Sequence, residues 1–391
     1  MEVIERVKEH TKEIVDLRRT LHQHPEVSHK EFETHKILLE RLRKLDLDIK
    51  APVAGTGIVA DLQGKSKGRT VAIRADIDGL PVTEETGVSF KSQNDGFMHA
   101  CGHDGHMSMA FGAALALSNM REQINGTIRF LFQPAEEQVA TGGGAKPMID
   151  EGALDGVDYI IGQHVWPDIP QGSVGYRAGP FFAAPESFQL KIIGKGGHGA
   201  KPHLTVDPIV VSAKVLEALQ TISSREVDPL DPIVVTVGSI HGGTAFNIIP
   251  NFVEMLGTVR TLNPNTRKRI EEMMRRIIGG VTSSAGASFE LSYSYGYPVL
   301  INDKDVTARV SKSATLIMGE GHVLEWEPTM GGEDFAYYLQ KVRGTFLLLG
   351  VRNEKLGYVN DSHSSKFNFD EAILPYGSAV LVQSAVDLLS S

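Results

Sequence analysis

Within the ten residues Met98-His99-Ala100-Cys101-Gly102-His103-Asp104-Gly105-His106-Met107 the chain carries three histidines, an aspartate and its single cysteine. Sulfur, imidazole and carboxylate donors together suit a borderline divalent ion better than they suit calcium or magnesium; zinc comes first, with nickel, cobalt or manganese as other options. Read as an extended chain, alternate residues share a side, so His99, Cys101 and His103 would present two imidazoles and a thiol from one face. Gly102 and Gly105 let the backbone turn tightly there. Met107, Ala110, Ala113, Ala114, Leu117 and Met120 then recur at helical spacing, which predicts a helix from Gly105 to about Met120 with the donors at its first turn.

The pair Glu136-Glu137 is the second chemical element, behind the apolar run 127–132 and Gln133-Pro134-Ala135. Neighbours in an extended chain face opposite ways, so one carboxylate can hold a metal while the other faces a water. Hydrolysis needs that division: a metal makes water a stronger acid, and a carboxylate takes its proton and later gives it to the leaving amine. His164, after the apolar run 159–163, and His363, in a loop, add imidazoles. Cys101, His103, Glu137, His164 and His363 would supply five ligating side chains, enough for two divalent ions that share a bridging ligand. Two other readings use the same residues. Cys101 could act as a nucleophile with a nearby histidine, which a chelator would leave active, or the chain could bind a metal or ligand without turnover.

Holding these residues together requires a scaffold. At 391 residues the chain exceeds what one core usually organises, so two domains are expected. Strands are read at 70–75, 127–132, 159–163 and 345–350. One helix opens the chain through about Leu21 and a second begins after Ser28, where Ser28 and Glu31 have capping-box spacing. A last amphipathic helix starts at about Asp370. Asp76, Asp78, Glu136, Glu137 and His164 each follow a strand, and in open α/β sheets ligands gather outside the carboxyl ends of strands. Between about 181 and 297 the order changes to strand 187–194, helix 207–223, strand 233–240, strand 252–261, helix 265–280 and strand 288–295, the ferredoxin-like βαββαβ unit. The fold class is therefore α/β: a mixed-sheet catalytic domain with helices on both faces, from 1–180 and 298–391, with a ferredoxin-like α+β domain inserted at 181–297.

Net charge is −9, from 39 basic and 48 acidic side chains, without a long basic run, so neither nucleic acid nor an anionic membrane is expected as a partner. The opening Glu2-Val3-Ile4-Glu5-Arg6-Val7-Lys8-Glu9 has no apolar core of signal-peptide length. The longest nearly apolar window, about 109–117, falls short of the roughly 20 residues a bilayer requires. A lone cysteine fits a reducing compartment, and a cytoplasmic location is expected.

The chain resembles the two-domain dinuclear metallopeptidases that include aminoacylase, carboxypeptidase and succinyl-diaminopimelate desuccinylase. Within them it is most similar to the amidohydrolase branch of hippurate hydrolase, N-acetyl-amino-acid deacetylases and plant indoleacetyl-amino-acid hydrolases. The resemblance runs from the first helices to the last. It rests on Leu21-His22-Gln23-His24-Pro25-Glu26, Arg74-Ala75-Asp76-Ile77-Asp78-Gly79-Leu80-Pro81, Met98-His99-Ala100-Cys101-Gly102-His103-Asp104, Gln133-Pro134-Ala135-Glu136-Glu137, Gly331-Gly332-Glu333-Asp334-Phe335 and His363-Ser364-Ser365-Lys366-Phe367.

The resemblance implies two divalent ions per subunit, with Cys101, His103, Glu137, His164 and His363 as ligands, Glu136 as general base and Asp78 orienting a ligand. Asp76 stands where other branches have a metal-binding histidine. In Gly196-Gly197-His198-Gly199-Ala200-Lys201-Pro202-His203, His198 would reach a neighbouring protomer's active site and stabilise the developing oxyanion. Gly242-Gly243-Thr244-Ala245-Phe246-Asn247-Ile248-Ile249-Pro250 makes Asn247 a substrate contact, and Arg260 would grip the substrate carboxylate. The implied activity is hydrolysis of the amide of N-acyl amino acids, or of a short peptide by a carboxypeptidase or dipeptidase with the same site. The inserted domain would serve as lid and dimerisation surface, giving a homodimer or dimer-based oligomer.

Overall fold

In the computed structural model, which describes residues 2–390, side chains of both parities from Val71 to Asp76 are buried along the strand Ser66–Asp76. A strand covered on both faces belongs in the middle of a largely parallel sheet. Eight strands form that sheet, in the order Asp48–Val53, Gly57–Gln63, Asn125–Gln133, Ser66–Asp76, Tyr159–Pro170, Arg343–Arg352, Val174–Tyr176 and Val323–Glu325. The four central strands, from Asn125–Gln133 to Arg343–Arg352, run parallel.

Register then decides what meets at the carboxyl edge. Asp76 lies opposite Gln133, so the segments leading to Asp78 and to Glu137 leave the sheet side by side. Arg74 lies opposite Gly162, which sets His164 level with Asp76. The strand carrying His164 is longer than the sequence reading allowed. It continues to Pro170 because Arg343–Arg352 pairs with it that far, and His164 therefore sits within the strand, not at its end.

Helices depart from expectation at their starts. The opening helix is two, Val3–Lys8 and Thr11–Gln23, interrupted where the Thr11 hydroxyl donates to the Lys8 carbonyl at 2.7 Å. The next runs Phe32–Leu42, and no capping box forms: Ser28 Oγ donates to Asp78 Oδ2 at 2.6 Å, and the Glu31 carboxylate accepts the His29 amide at 2.9 Å. His103–Asn119 begins two residues earlier than read, with Gly102 at φ 89° ahead of it, and is buried around almost its whole girth. The last helix, Leu374–Leu389, follows a short turn at Glu371–Ile373. Within the 19 residues Glu371–Leu389 an 18-residue window reaches a mean hydropathy of 1.4, long and apolar enough to cross a membrane by length and composition. Most of it is buried in the core of its own unit.

The chain divides into two compact units. The first comprises residues up to Gly179, Ile301–Glu327 and those from Asp334 on, and contains the eight-stranded sheet. The second comprises Pro180–Leu300 with Pro328–Glu333. Its elements are Ala184–Ile193, Pro208–Leu219, Ile233–Gly242, Phe252–Thr261, Pro264–Ser284 and Ser288–Ser294, in βαββαβ order. Its four-stranded antiparallel sheet has the order Ile233–Gly242, Phe252–Thr261, Ala184–Ile193, Ser288–Ser294. Leu190, Ile192, Val215, Met255, Ile270 and Met274 fill a core of its own. Both of its long helices start on a side-chain cap followed by proline: Asp207 accepts from the Ile209 amide, and Asn263 from the Asn265 amide.

One buried ionic network ties the first unit's helices to its carboxyl-terminal segment. Arg18 donates from Nε to Asp104 Oδ2 (3.1 Å), from Nη1 to the Phe369 carbonyl (3.1 Å) and from Nη2 to Asn368 Oδ1 (2.6 Å), and its guanidinium stacks 3.8 Å from the Phe369 ring centre. His22 joins Asp104 (2.9 Å) to Glu84 (3.2 Å). Asp104 is the residue after His103, so the network fixes the first turn of the helix that carries a candidate ligand. Replacing Arg18 by methionine is expected to cost about 3–5 kcal/mol, read by denaturant unfolding, because it breaks a buried ion pair and leaves Asp104 with His22 alone, and the Phe369 carbonyl and Asn368 without their donor.

Burial disfavours charge on His22, but its bonds to Asp104 and Glu84 outweigh that and raise its pKa from 6.5 to about 9. A raised histidine pKa contributes stability that is complete below about pH 6.5 and is lost as pH rises through about 9. Unfolding free energy is expected to fall by up to about 3 kcal/mol across that window, and His22→Asn to flatten the decline.

Candidate active site

Four separate segments of the first unit deliver the site. Cys101 precedes Gly102, whose left-handed backbone opens the helix; a Cβ there would collide with the Val165 side chain, so glycine is required on two counts. His103 is that helix's first residue. Glu136 and Glu137 follow Ala135, which holds φ at 56°. His164 comes from the central strand Tyr159–Pro170. His363 sits at φ 67°, its amide donating to the Ala100 carbonyl at 2.8 Å, which ties the loop bearing it to the cysteine segment.

The donor atoms converge. Cys101 Sγ lies 3.3 Å from His164 Nε2, Glu137 Oε1 lies 3.3 Å from His363 Nε2, and His103 Nε2 is 4.0 Å from the same Glu137 oxygen. Cys101, His103 and His164 form one group and Cys101, Glu137 and His363 another, each with its donors within 4.8 Å of one another. Donors around a tetrahedral ion with bonds of about 2.0–2.3 Å stand roughly 3.3–3.8 Å apart. The spacing fits two ions, with Cys101 common to both groups.

Electrostatics fit the same conclusion. His164 donates from Nδ1 to the Val165 carbonyl at 2.6 Å, which leaves the Nε2 lone pair facing Cys101, and burial holds its pKa well below the ordinary value, so the ring is neutral. Burial, then Glu137, Glu136 and Asp76, push the Cys101 thiol far up, so a thiolate persists there only beside a cation. His103 is driven to about 10: burial opposes its charge, but Asp76 and Asp78 overcome that. Its Nδ1 lies 3.2 Å from Asp78 Oδ1, yet neither ring nitrogen makes a hydrogen bond of good geometry, and Glu137 Oε1 is buried in the same condition. These groups together are short of positive charge.

Asp78 does more than face His103. Its Oδ1 accepts the Glu136 amide at 3.1 Å and its Oδ2 the Glu137 amide at 3.0 Å, so one carboxylate fixes the backbone of both glutamates. Glu136 and Glu137 both come within 4.8 Å of His103, so the opposite-facing arrangement expected of an extended chain does not hold; the turn at Ala135 aims both carboxylates inward.

The alternating face expected of His99, Cys101 and His103 is also not formed. His99 is buried with both ring nitrogens unpartnered among the described residues, and burial lowers its pKa to about 4. His106 has no lone pair to offer: its Nε2 accepts the Val165 amide (2.9 Å) and its Nδ1 donates to Asp76 Oδ1 (2.6 Å), so it braces the His164 strand.

Sequence reasoning missed this bracing layer. Arg74 donates to Asp76 (2.6 Å), Asp334 (2.8 Å) and Gln133 (2.8 Å), and Asp334 also accepts the Gly144 and Ala145 amides. The signal available was an arginine inside an otherwise apolar strand, which must be paired once buried.

Of the candidates in the second unit, His198 and Asn247 are neighbours. Gly197–His198 pairs with Ile248–Ile249, and the Gly199 amide donates to the Asn247 carbonyl at 2.9 Å. His198 is exposed. Arg260 is half-buried on Phe252–Thr261 with no carboxylate partner among the described residues, and burial alone lowers its pKa.

An α/β unit that gathers this donor set at the carboxyl edge of its parallel strands defines a metal-dependent hydrolase. The chain belongs to peptidase family M20/M25/M40, whose model matches residues 72–387. It is 43% identical over 384 residues to thermostable carboxypeptidases 1 and 2 of Saccharolobus solfataricus, covering 97% of this chain and 97% of each relative. An N-acyl-L-amino acid amidohydrolase of Geobacillus stearothermophilus is 46% identical over 303 residues, 77% of this chain and 81% of that one. The crystal structure of a dinuclear metal-binding peptidase from Bacillus subtilis matches with a TM-score of 0.86 at 35% identity, covering 98% and 99% of the two chains.

His363 is the one exposed member of the donor set, with 55% of its side chain accessible. His363→Ala is therefore expected to leave the metal-free melting temperature within about 1 °C and to weaken one of two ions ~10²-fold or more, read by titration with a metal indicator.

Proposed function

We propose that this chain hydrolyses the amide bond of N-acyl amino acids, releasing a carboxylic acid and a free amino acid. The observation that carries the reading is Glu136, a buried carboxylate beside His103 and Glu137 whose backbone amide is anchored by Asp78. The relatives support it. A carboxypeptidase and an N-acyl amino acid amidohydrolase both cut an amide whose leaving nitrogen bears an α-carboxylate. Carboxypeptidase or dipeptidase action at the same site is the second reading, favoured by the first-named relatives.

In this proposal Cys101, His103, Glu137, His164 and His363 hold two divalent ions, zinc in first place. Bound there, the ions supply Lewis acidity, strengthening water as an acid and drawing electron density from the scissile carbonyl. Glu136 accepts the proton of the attacking water on a carboxylate oxygen. Water's oxygen bonds to the carbonyl carbon, the carbon–nitrogen bond breaks, and Glu136 returns the proton to the leaving nitrogen. Asp78 keeps the Glu136 and Glu137 backbone from drifting. Arg260, a guanidinium without a carboxylate partner among the described residues, is assigned to the substrate carboxylate, and Asn247 to a further substrate contact. His198 is assigned to the developing oxyanion of a partner copy, with a homodimer formed through the second unit and a cytoplasmic location completing the reading.

Metal analysis of the purified protein, with turnover of N-acetyl amino acids, hippurate and dipeptides measured with and without a chelator, tests this directly. N-acyl substrates are expected to give the highest kcat/KM, and chelation to abolish it; activity that survives full removal of metal would refute the assignment. Glu136→Gln is expected to retain both ions and lose ~10²–10⁴-fold in kcat.

A further inference from the structure

Glu31 is fully buried, yet it sits at the start of a helix and does not cap it. Its Oε1 accepts the amides of His29 and Ala135, both at 2.9 Å, and its Oε2 accepts the Thr56 hydroxyl at 2.7 Å. Ala135 holds φ at 56° without being glycine, a conformation that costs of order 1 kcal/mol or more and persists only where its surroundings impose it. The next two amides, of Glu136 and Glu137, go to Asp78, whose Oδ2 also takes the hydroxyl of Ser28. Three successive backbone donors at the end of the strand Asn125–Gln133 are thus held by two buried carboxylates, and one of these comes from a segment nothing above assigns to the chemistry.

We infer that Glu31 is a positioning residue for Glu136. Its carboxylate keeps Ala135 in the left-handed turn that aims Glu136 and Glu137 at His103. Without that acceptor the Ala135 peptide relaxes toward the ordinary region, and the carboxylate of Glu136 swings with it. What matters is hydrogen-bond acceptance, not charge. A glutamine in the same place reproduces all three bonds, because its oxygen can take both amides and its NH2 can donate to the Thr56 hydroxyl, which is free to reverse.

The inference rests on the role proposed for Glu136, so its test pairs turnover with a measurement that does not need it. Parent, Glu31→Gln and Glu31→Leu proteins are loaded with metal and compared on an N-acetyl amino acid, and hydrogen exchange is followed in the peptide containing Ala135–Glu137. Assayed at saturating metal, Glu31→Leu is expected to lower kcat ~10²-fold with KM within about twofold, since small displacements of a reacting group have effects of that size. Exchange at those amides should speed up ~10-fold, the counterpart of one lost hydrogen bond. Glu31→Gln should stay within about threefold of the parent in kcat and match its exchange.

Unchanged kcat and exchange in Glu31→Leu overturn the inference, as does a loss expressed in KM alone. A Glu31→Gln variant as impaired as Glu31→Leu overturns it too, since charge would then be the active property. Should Glu31→Leu fail to fold, Thr56→Val removes one of the three bonds while keeping shape; a several-fold fall in kcat supports the inference and no change defeats it. A parent inactive on the whole substrate panel would sink the proposed activity, and the exchange data would still decide whether Glu31 holds this turn.

Discussion

Everything at the carboxyl edge of the main sheet answers to one electrostatic constraint: carboxylates and a thiol are packed together out of reach of bulk water. Asp76, Asp78, Glu136 and Cys101 are all buried, Glu137 is mostly so, and mutual repulsion in such a setting is severe. Arg74 answers for Asp76 and Asp334, amides and a hydroxyl answer for Asp78, and the remainder calls for a cation. His103, raised to about 10, reports that deficit as a proton held where a metal would otherwise sit.

The fold meets this demand through register more than through any one residue. Parallel central strands end on a common edge, and pairing Asp76 with Gln133 and Arg74 with Gly162 brings three chain segments level with one another. The first helical turn after Gly102 and the loop at His363 close on that edge from above, each using left-handed backbone. Behind them the Arg18–Asp104–His22 network and the His106–Asp76 pair are rigid, buried and polar, and they set the angle of the groups in front. A site whose ligands come from distant stretches of chain needs such bracing, because a ligand free to drift loses geometry faster than it loses stability.

Much of this was legible in the sequence. The apolar runs ending in Asp76, Gln133 and Gln163, and the density of donors around Cys101, pointed to a ligand cluster at strand ends. The βαββαβ order of the second unit could be read from alternating periodicities. What could not be read were features that depend on tertiary partners. Ser28 and Glu31 have the spacing of a helix cap, but both side chains have stronger calls on them from Asp78 and from Ala135. The strand through His164 outran its apolar signal because a neighbouring strand continued to pair with it. His99 and His106 look as ligand-like in sequence as His103, and only the hydrogen bonds of His106 and the isolation of His99 separate them.

The exposure of His363 gives the site a front and a back. The pair Cys101–His164 lies in the interior, so in the proposed arrangement an ion lodged against it would be shielded from bulk solvent. In the proposed arrangement an ion leaning on His363 would be held by an imidazole with 55% of its side chain accessible to solvent. The two positions would therefore exchange with bulk solvent on separate clocks, and a chelator would strip the outer one long before the inner. Partly demetallated preparations would be a uniform half-loaded species, not a mixture of full and empty molecules.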